Sequence, residues 1–487
     1  MFRKIKSFLF ENKNTKQTVL KNSFWLGVGN IGGRLIRALL IIYAARILGT
    51  EGYGIFSYAL GLAAFFTVFS DIGLSALLTR ELVKNPDKSD EYFSTTFVIK
   101  FILVIITIFV VIFVAPTFTK LEAAKPLIYL VAILLTFDTF RNFGFAITRA
   151  QNRMELEALF LVTTDMAIAI FGAIALFINP SPKTLAISYS LGSAVGFIIM
   201  YVVLRKHLNK IFKAFCLNLI RPILSSAWPF AIMGLLGGFM LNIDMIILGW
   251  FRNAHELGLY AAAQRPVQLL YVLPALLSTS LFPIISNLIS KHEHGQTKAI
   301  LEKSIAGVLA FALPITMGGI LLGAPIIKLL FGESYFAATL TFQLLMLTII
   351  PIFPGSVIGN AIFAHDKQKI FIVSTFFGSL CNVMLDILLI PSFGIEGSAI
   401  ATIISQIIAN GYNWWKLRNL TGFKTLINLK KIIPATIGMT FVTLTLLLLH
   451  IHLLVNVVLS GVAYVAILYL LHEPLMLNLK PNKMTKS

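Results

Sequence analysis

The chain contains only two cysteines, Cys216 and Cys381, among 487 residues. Two thiols cannot form the disulfide framework of a small secreted domain or a four-thiolate metal site. Charged residues are scarce as well, at 13% of the chain, whereas soluble domains carry about 25%. These two shortages exclude a disulfide-stabilised secreted module and an ordinary soluble globular protein.

The usual sequence motifs of catalysis are also missing. The chain has no glycine-rich phosphate loop, no nucleophile elbow and no cluster of metal ligands. The connections between its apolar segments are short, and the longest of them are basic and featureless, so a catalytic domain has no room. We therefore predict a protein that is not an enzyme and that needs no cofactor or metal.

Long apolar runs dominate what is present. Hydrophobic residues make up 57% of the chain, and the mean hydropathy is +0.86. Since a membrane span takes about 20 residues, the sequence predicts an all-α polytopic membrane protein with about 14 transmembrane helices. We place these spans near 22–47, 53–79, 93–115, 126–148, 156–178, 184–204, 224–249, 257–285, 304–323, 336–363, 370–390, 396–415, 432–450 and 453–471.

The net charge of +19 follows the membrane topology. With the N-terminus inside, 29 of the 40 Lys and Arg residues fall on the cytoplasmic side, six on the opposite side and five within spans. This asymmetry obeys the positive-inside rule and predicts a multi-pass protein of the cytoplasmic membrane with both termini inside. The basicity therefore requires no nucleic-acid partner.

Two sequence echoes indicate a doubled architecture. Residues 54–59 and 258–263 are similar and lie 204 residues apart, and residues 149–153 and 363–367 lie 214 apart. Each copy lies six spans from its partner, so both share one orientation, as in parallel-repeat transporters. We predict two six-helix bundles in a parallel pseudo-twofold repeat. The predicted boundaries are 1–21 for a cytoplasmic amphipathic segment, 22–220 and 221–416 for the bundles, and 417–487 for two additional C-terminal helices and a basic tail.

Arg34 and Arg37 lie in the middle of the first apolar stretch. At 1.5 Å per residue Arg34 is near the bilayer midplane, where an uncompensated charge costs about 2.5–3.5 kcal/mol. Asn30, Arg34 and Arg37 share one helical face at i, i+4 and i+7 spacing. This face either lines a hydrated cavity and offers guanidinium groups to a diphosphate, or pairs with an aspartate on a neighbouring helix.

Other charges within the spans allow two interpretations each. Arg265, directly before Pro266, is a candidate second-bundle ligand of the phosphates or the counter-charge of Asp244. Asp138 and Arg141 are spaced i, i+3 and can neutralise each other on one helix.

Membrane carboxylates are candidates for ion coupling because such groups often serve proton or sodium relays. We retain Asp71, Asp138, Arg141 and Asp244 as candidate cavity or ion-coupling residues, with Asp165 and Asp386 as further carboxylates of this kind. We expect Lys100 to extend its side chain to the cytoplasmic end of its span.

Several runs resemble the polysaccharide-transport (Wzx-type) oligosaccharide flippases. They are RILGTEGYG at 46–54, FSDIGL at 69–74, TRE at 79–81, NIDMIILG at 242–249, GLYAA at 258–262 and IPSFGIEGSAIAT at 390–402. The superfamily also contains the lipid II flippases and the multidrug and toxin exporters. The similarity extends over essentially the whole chain.

The resemblance implies movement of a polyprenyl-diphosphate-linked oligosaccharide from the cytoplasmic to the outer leaflet by alternating access. It further implies cavity arginines on the first and eighth spans, which favours Arg34, Arg37 and Arg265 as diphosphate ligands. The implied partners are the lipid-linked oligosaccharide, membrane lipids, and a glycan polymerase or export machinery.

Three other functions remain open. A lipid II flippase and an ion-coupled multidrug exporter share the fold, although the exporter would favour an acidic or aromatic cavity. A membrane polysaccharide polymerase or ligase fits less well, because it needs a sizeable extracytoplasmic loop with catalytic Arg or His.

Overall fold

The computed structural model describes residues 9–12, 14–208, 214–424 and 429–472, and every regular element in these ranges is helical. Residues 1–8 and 13 of the predicted amphipathic segment and residues 473–487 of the predicted basic tail lie outside them. Cα packing divides the chain into two compact units, Met1–Gly258 and Leu259–Ser487.

The first unit begins with a helix that passes through one π-helical turn. Its elements are α1 (Thr15–Gly27), the π turn (Val28–Gly32), α2 (Gly33–Thr67), α3 (Leu74–Lys84), α4 (Ser89–Phe113), α5 (Lys125–Ala150), α6 (Met154–Ile178), α7 (Pro182–Leu208) and α8 (Ile220–Phe251). A buried aromatic core of Phe93, Phe143, Phe145 and Phe160 joins α4, α5 and α6.

Helix α9 (Ala254–Leu270) starts at the end of the first unit and continues into the second. The remaining elements are α10 (Val272–Ser290), α11 (His294–Leu321), α12 (Gly323–Phe331), α13 (Thr339–Met346), α14 (Ile349–Ala364), α15 (Gln368–Thr421), α16 (Ile432–Leu448) and α17 (Leu453–Leu470).

Two glycines separate neighbouring spans within long helical stretches. Gly49, with φ 66°, divides α2 between the first two predicted spans, and Gly394, with φ 61°, divides α15 between the eleventh and twelfth. Both adopt positive φ, which side chains disfavour and glycine tolerates. The chain therefore reverses at these points without a long loop.

Ten helical stretches in the described ranges are long and apolar enough to cross a bilayer, and two of them, Gln17–Lys84 and Gln368–Thr421, each hold two predicted spans. Three shorter apolar helices add to these. Along α4 one face exposes large apolar side chains at helical spacing, as a lipid-facing surface requires; they are Ile102, Ile105, Ile106, Phe109 and Phe113. The predicted all-α polytopic membrane fold is confirmed.

The sequence echo at residues 54 and 258 corresponds to a reciprocal contact within the first unit. A Cβ atom on Gly54 would overlap the carbonyl oxygen of Ala254 and lie 2.7 Å from the Gly258 nitrogen. A Cβ atom on Gly258 would overlap the carbonyl oxygen of Thr50 and lie 2.7 Å from its carbonyl carbon. Thr50 and Ala254 are also 204 residues apart, so the contact is self-complementary, as twofold symmetry demands. We call these four residues the glycine clasp.

Candidate functional site

A cavity of about 620 Å³ lies within the first unit, bounded by the π turn, α2, α4, α5, α6 and the break between α2 and α3. Its volume falls in the range of about 300–1,000 Å³ typical of small-molecule sites. Charged side chains are its main feature. The lining cations are Arg34, Arg37, Lys100, Arg141 and Arg149, and the lining carboxylates are Asp71, Asp138, Glu157 and Asp165.

Two glycines, Gly29 in the π turn and Gly33 at the start of α2, let this segment approach α6 closely. A Cβ atom on Gly29 would lie 2.8 Å from the Cα of Ala158. A Cβ atom on Gly33 would overlap the Oδ2 atom of Asp165. The missing side chain at Gly33 therefore leaves room for the Asp165 carboxylate beside Arg37, which lies one turn further along α2.

Arg37 forms an ion pair with that carboxylate. Its Nε donates to Oδ1 of Asp165 at 2.8 Å, and its Nη2 contacts the same oxygen. Pairing with an aspartate on a neighbouring helix was one of two interpretations of this arginine, and the structure supports it for Arg37. The guanidinium remains partly exposed in the cavity.

Arg34 differs from the other lining cations. It is exposed in the cavity, and among the described residues it makes no ion pair or hydrogen bond. The remaining four cations each pair with one of the four carboxylates. Since five positive and four negative charges line the cavity, its formal charge is +1, and that charge corresponds to Arg34.

Asp71 lies where the α2–α3 segment is interrupted. The segment Val68–Ser70 is a single 3₁₀ turn, and Gly73 has φ 76°. Ser75 Oγ donates to Asp71 Oδ1 at 2.5 Å, and the Lys100 ammonium contacts the same oxygen. Irregular backbone at membrane depth is tolerated where it is buried in protein or lines a polar cavity, and this break lines the charged cavity.

The expectation for Lys100 was wrong. Its side chain is buried against Asp71 and does not extend to the end of α4. Lys100 lies eleven residues after Ser89, the first residue of α4, which is about 16 Å of helix. The aspartate provides a nearer partner than the membrane surface does. The Lys100 ammonium also lies 5.5 Å from the ring centroid of Phe143, at a cation–π distance.

A second helix break occurs at the corresponding position of the repeat. Helix α2 ends at Thr67, and α9 gives way to α10 at Tyr271, 204 residues later. Interrupted helices at matching positions of the two halves are the best pointer to a transporter's binding site. The break at residues 68–73 lines the cavity and fits this rule.

Helix α5 contributes two more ion pairs. Asp138 and Arg141 pair within the helix, with Nη1 and Oδ1 2.9 Å apart, which matches the cis pairing expected from their spacing. Arg149 forms a two-pronged pair with Glu157, with Nε–Oε2 at 2.8 Å and Nη2–Oε1 at 2.6 Å. Sequence reasoning missed this pair, although both residues flank the tight connection between α5 and α6.

Phe145, also missed, lies between the two arginines of α5. Its ring centroid is 6.0 Å from the Cζ atom of Arg141 and 5.9 Å from that of Arg149. Cations at this distance over an aromatic face gain about 0.5–2 kcal/mol. The signal in the sequence was the i, i+4 spacing of Arg141, Phe145 and Arg149.

Six of the eight predicted site residues line this one cavity: Asn30, Arg34, Arg37, Asp71, Asp138 and Arg141. Asp244 is buried in α8 and is not among the lining residues. Arg265 belongs to the second unit, where its Nη1 lies 3.4 Å from Oε1 of Gln268. The functional roles of all eight stay predictions.

We expect Arg37→Gln to destabilise the protein more than the double variant Arg37→Gln/Asp165→Asn. The single change leaves the buried Asp165 without its cation. Breaking a buried ion pair costs about 3–5 kcal/mol, and the partial exposure of Arg37 reduces this to about 2 kcal/mol. Thermal unfolding of the purified variants in detergent measures the difference. A double variant no more stable than the single one would contradict the pairing.

The second unit contains an apolar cavity of about 800 Å³ between α9, α11, α13, α16 and α17. Its larger lining side chains are Phe311, Phe342, Met346, Met439, Tyr464 and Leu468. None of its lining residues carries a charge. This cavity suits a hydrocarbon chain and has no feature that would bind an anion.

The family model for polysaccharide biosynthesis proteins matches residues 19–289, more than half of the chain. The chain belongs to the polysaccharide biosynthesis protein family. The MatE family model also matches this member, over residues 229–388. The resemblance stated from the sequence runs is therefore confirmed.

Curated relatives of this family member include transport proteins from archaea and bacteria. It is 22% identical to a probable low-salt glycan biosynthesis flippase of Haloferax volcanii, covering 86% of this chain and 93% of the relative. It is also 22% identical to a putative O-antigen transporter of Shigella flexneri, covering 80% and 96%. The prediction of a transport protein, not an enzyme, is confirmed.

Solved structures agree on the fold. The lipid II flippase MurJ, in an inward closed conformation, aligns with a TM-score of 0.75 at 18% identity, covering 92% of this chain and 99% of MurJ. An inward-facing multidrug resistance transporter of the MATE family aligns with a TM-score of 0.67 at 15% identity, covering 82% and 97%. The polysaccharide biosynthesis protein thus shares the fold of these two transporters.

Proposed function

We propose that this protein is a flippase that moves a polyprenyl-diphosphate-linked oligosaccharide from the cytoplasmic to the outer leaflet by alternating access, for cell-surface glycan biosynthesis. The observation that carries the proposal is Arg34, an exposed cavity cation without a counter-ion in the described chain. The relatives named as a glycan biosynthesis flippase and an O-antigen transporter support the substrate class.

The chemistry of the cavity suits a diphosphate. Phosphates cannot enter hydrocarbon unaided, because each buried charge carries a large desolvation penalty. The planar guanidinium group of Arg34 can donate two parallel hydrogen bonds to a phosphate, and no ion pair with a carboxylate has to break first. Arg37 and Arg149 present further guanidinium groups to the same space. Charge-assisted bonds from these groups replace the water that the phosphates lose.

We infer the orientation from the distribution of positive charge along the sequence. With both termini in the cytoplasm, the end of α5 at Arg149 lies nearest the cytoplasm, and Asp138 lies eleven residues deeper. Eleven helical residues span about 16 Å, so the charged cavity extends from near the inner surface to the middle of the bilayer. A head group in the cytoplasmic leaflet would enter past the Arg149–Glu157 pair.

The apolar cavity of the second unit supports a lipid-linked substrate. Because its lining carries no charge, a prenyl chain can pass from the bilayer hydrocarbon into this space without burying a charged group. We propose that it receives part of the isoprenoid. After release on the outer side, a glycan polymerase or export machinery would take over the glycan.

Reconstitution tests the function. We expect full-length protein in vesicles to translocate a fluorescent farnesyl-diphospho-N-acetylglucosamine, measured as the gain in its quenching by membrane-impermeant dithionite on the outer face. Protein-free vesicles control for spontaneous movement, and a fluorescent cationic dye of similar size tests the exporter alternative. Transport of the dye without transport of the glycolipid would contradict the proposal.

A further inference from the structure

The four ion pairs of the cavity are not equivalent, because the exposed partner differs between them. In two pairs the cation faces the cavity. Arg37 is 35% exposed against 8% for Asp165, and Arg149 is 45% exposed against 2% for Glu157. Both buried carboxylates belong to α6. We call Arg34, Arg37 and Arg149 the cationic face.

In the other two pairs the arrangement is reversed. Asp71 is 36% exposed while Lys100 is 1% exposed, and Asp138 is 22% exposed while Arg141 is 5% exposed. Each buried cation pairs with its carboxylate but adds little positive charge at the cavity surface. We call Asp71 and Asp138 the acidic face.

The two carboxylates of the acidic face are linked through their chain neighbours. Ser70 and Thr139, the chain neighbours of Asp71 and Asp138, contact each other with their hydroxyl oxygens 3.2 Å apart. This contact joins the helix break to α5, so the segments that carry Asp71 and Asp138 are adjacent in the cavity lining. Asn142, one turn after Asp138, is exposed and lines the same cavity. The cavity lining therefore presents exposed carboxylates and an amide as well as exposed guanidinium groups.

Carboxylates and guanidinium groups select opposite chemistry. An ionised carboxylate only accepts hydrogen bonds, and it binds hydroxyl donors through charge-assisted bonds. It repels another carboxylate, and in a partly buried site this repulsion is stronger than in water. A diphosphate would therefore avoid the acidic face, whereas a sugar with free hydroxyl groups would be attracted to it.

We propose that the acidic face is a sugar subsite, at which Asp71 and Asp138 accept hydrogen bonds from the hydroxyl groups of an uncharged sugar close to the diphosphate. Acidic sugars such as uronic acids are disfavoured there. The subsite rests on the proposed function, since it presupposes that the cationic face holds the phosphates. It makes Asp71 and Asp138 specificity determinants, with Lys100 and Arg141 as positioning residues.

Three probes separate the two faces. The affinity for farnesyl diphosphate measures binding to the cationic face alone. Farnesyl-diphospho-N-acetylglucosamine adds a neutral sugar. Farnesyl-diphospho-glucuronic acid adds a charged one. For the full chain in nanodiscs, calorimetry should give an affinity about tenfold higher for the neutral-sugar probe than for the glucuronic acid probe, the effect of one charge-assisted hydrogen bond.

Charge-neutral double variants test the assignment without leaving a buried cation unpaired. Asp71→Asn/Lys100→Gln and Asp138→Asn/Arg141→Gln should each reduce the preference for the neutral sugar severalfold and leave farnesyl diphosphate binding unchanged. The matched control is Glu122→Gln/Lys125→Gln, which removes an exposed i, i+3 ion pair outside the cavity lining and should change none of the three affinities.

The outcomes distinguish the subsite from the proposed function. If farnesyl diphosphate binds and the Arg34→Ala variant weakens it, but neither double variant changes the sugar preference, the subsite is wrong and the flippase function stands. If none of the probes binds, or if Arg34→Ala has no effect, the function itself fails. A sugar preference that requires sodium and disappears in choline buffer would assign the two aspartates to a cation and overturn the subsite.

Discussion

The Arg34→Ala variant is expected to lose most glycolipid transport while keeping the thermal stability of the wild type. Arg34 has no counter-ion among the described residues, so its removal leaves no carboxylate unpaired. The substrate would lose hydrogen bonds from a charged donor, at about 1.5–3 kcal/mol. This corresponds to binding about 10- to 150-fold weaker. Transport in vesicles and unfolding in detergent measure the two properties separately.

Two further variants sharpen this test. Arg34→Lys keeps the charge but loses the planar fork, so we expect transport between the wild type and the alanine variant. Arg80→Ala removes an exposed arginine that pairs with Glu81 outside the cavity lining, and it should transport normally. Full transport by Arg34→Ala would refute the diphosphate site.

Alanine at Gly54 or Gly258 is expected to prevent the glycine clasp from forming. The added methyl group would overlap a backbone carbonyl oxygen in either case, and rotation of a side chain cannot relieve that overlap. Overpacking typically costs about 1–3 kcal/mol and occasionally more. Both variants should therefore transport poorly and lose the conformation in which the clasp is closed.

A disulfide reports the clasp directly. The hydroxyl of Thr50 and Nδ1 of His255 are 2.7 Å apart, so Thr50→Cys/His255→Cys should crosslink readily in the wild-type background and severalfold less when Gly54→Ala is added. Gly411→Ala, at a helical glycine with open space around its Cβ position, is the matched control. Undiminished crosslinking in the Gly54→Ala background would show that the clasp tolerates a side chain.

The fold was predictable because apolar length determines it. Spans of about 20 residues leave a strong signal, and the reversal at Gly49 coincides with the gap between the first two predicted spans. The 204-residue echo predicted the repeat. It did not predict that Gly54 and Gly258 pack reciprocally, since a short glycine match carries no distance information.

The site was predictable only as a set of charges. Arg34, Asp71 and Asp138 are rare polar groups in apolar runs, and for this reason the sequence singled them out. The pairing of Asp138 with Arg141 followed from their spacing, whereas the pairs that Arg37 and Asp71 form depend on how helices pack. Asp165 reaches Arg37 across 128 residues because Gly33 leaves space, and Lys100 is buried because the helix break places Asp71 beside it. No periodicity in the sequence encodes these contacts.

The charge count of the cavity has an electrical consequence. Empty, the cavity carries one net positive charge. A diphosphate esterified at both ends brings two negative charges, so the loaded site carries one net negative charge. In the orientation proposed above, a membrane voltage that is negative inside repels the loaded site outward and draws the empty site back. Each charge that crosses the full field gains about 2.3 kcal/mol per 100 mV. Both halves of the cycle would therefore be driven in the direction of export.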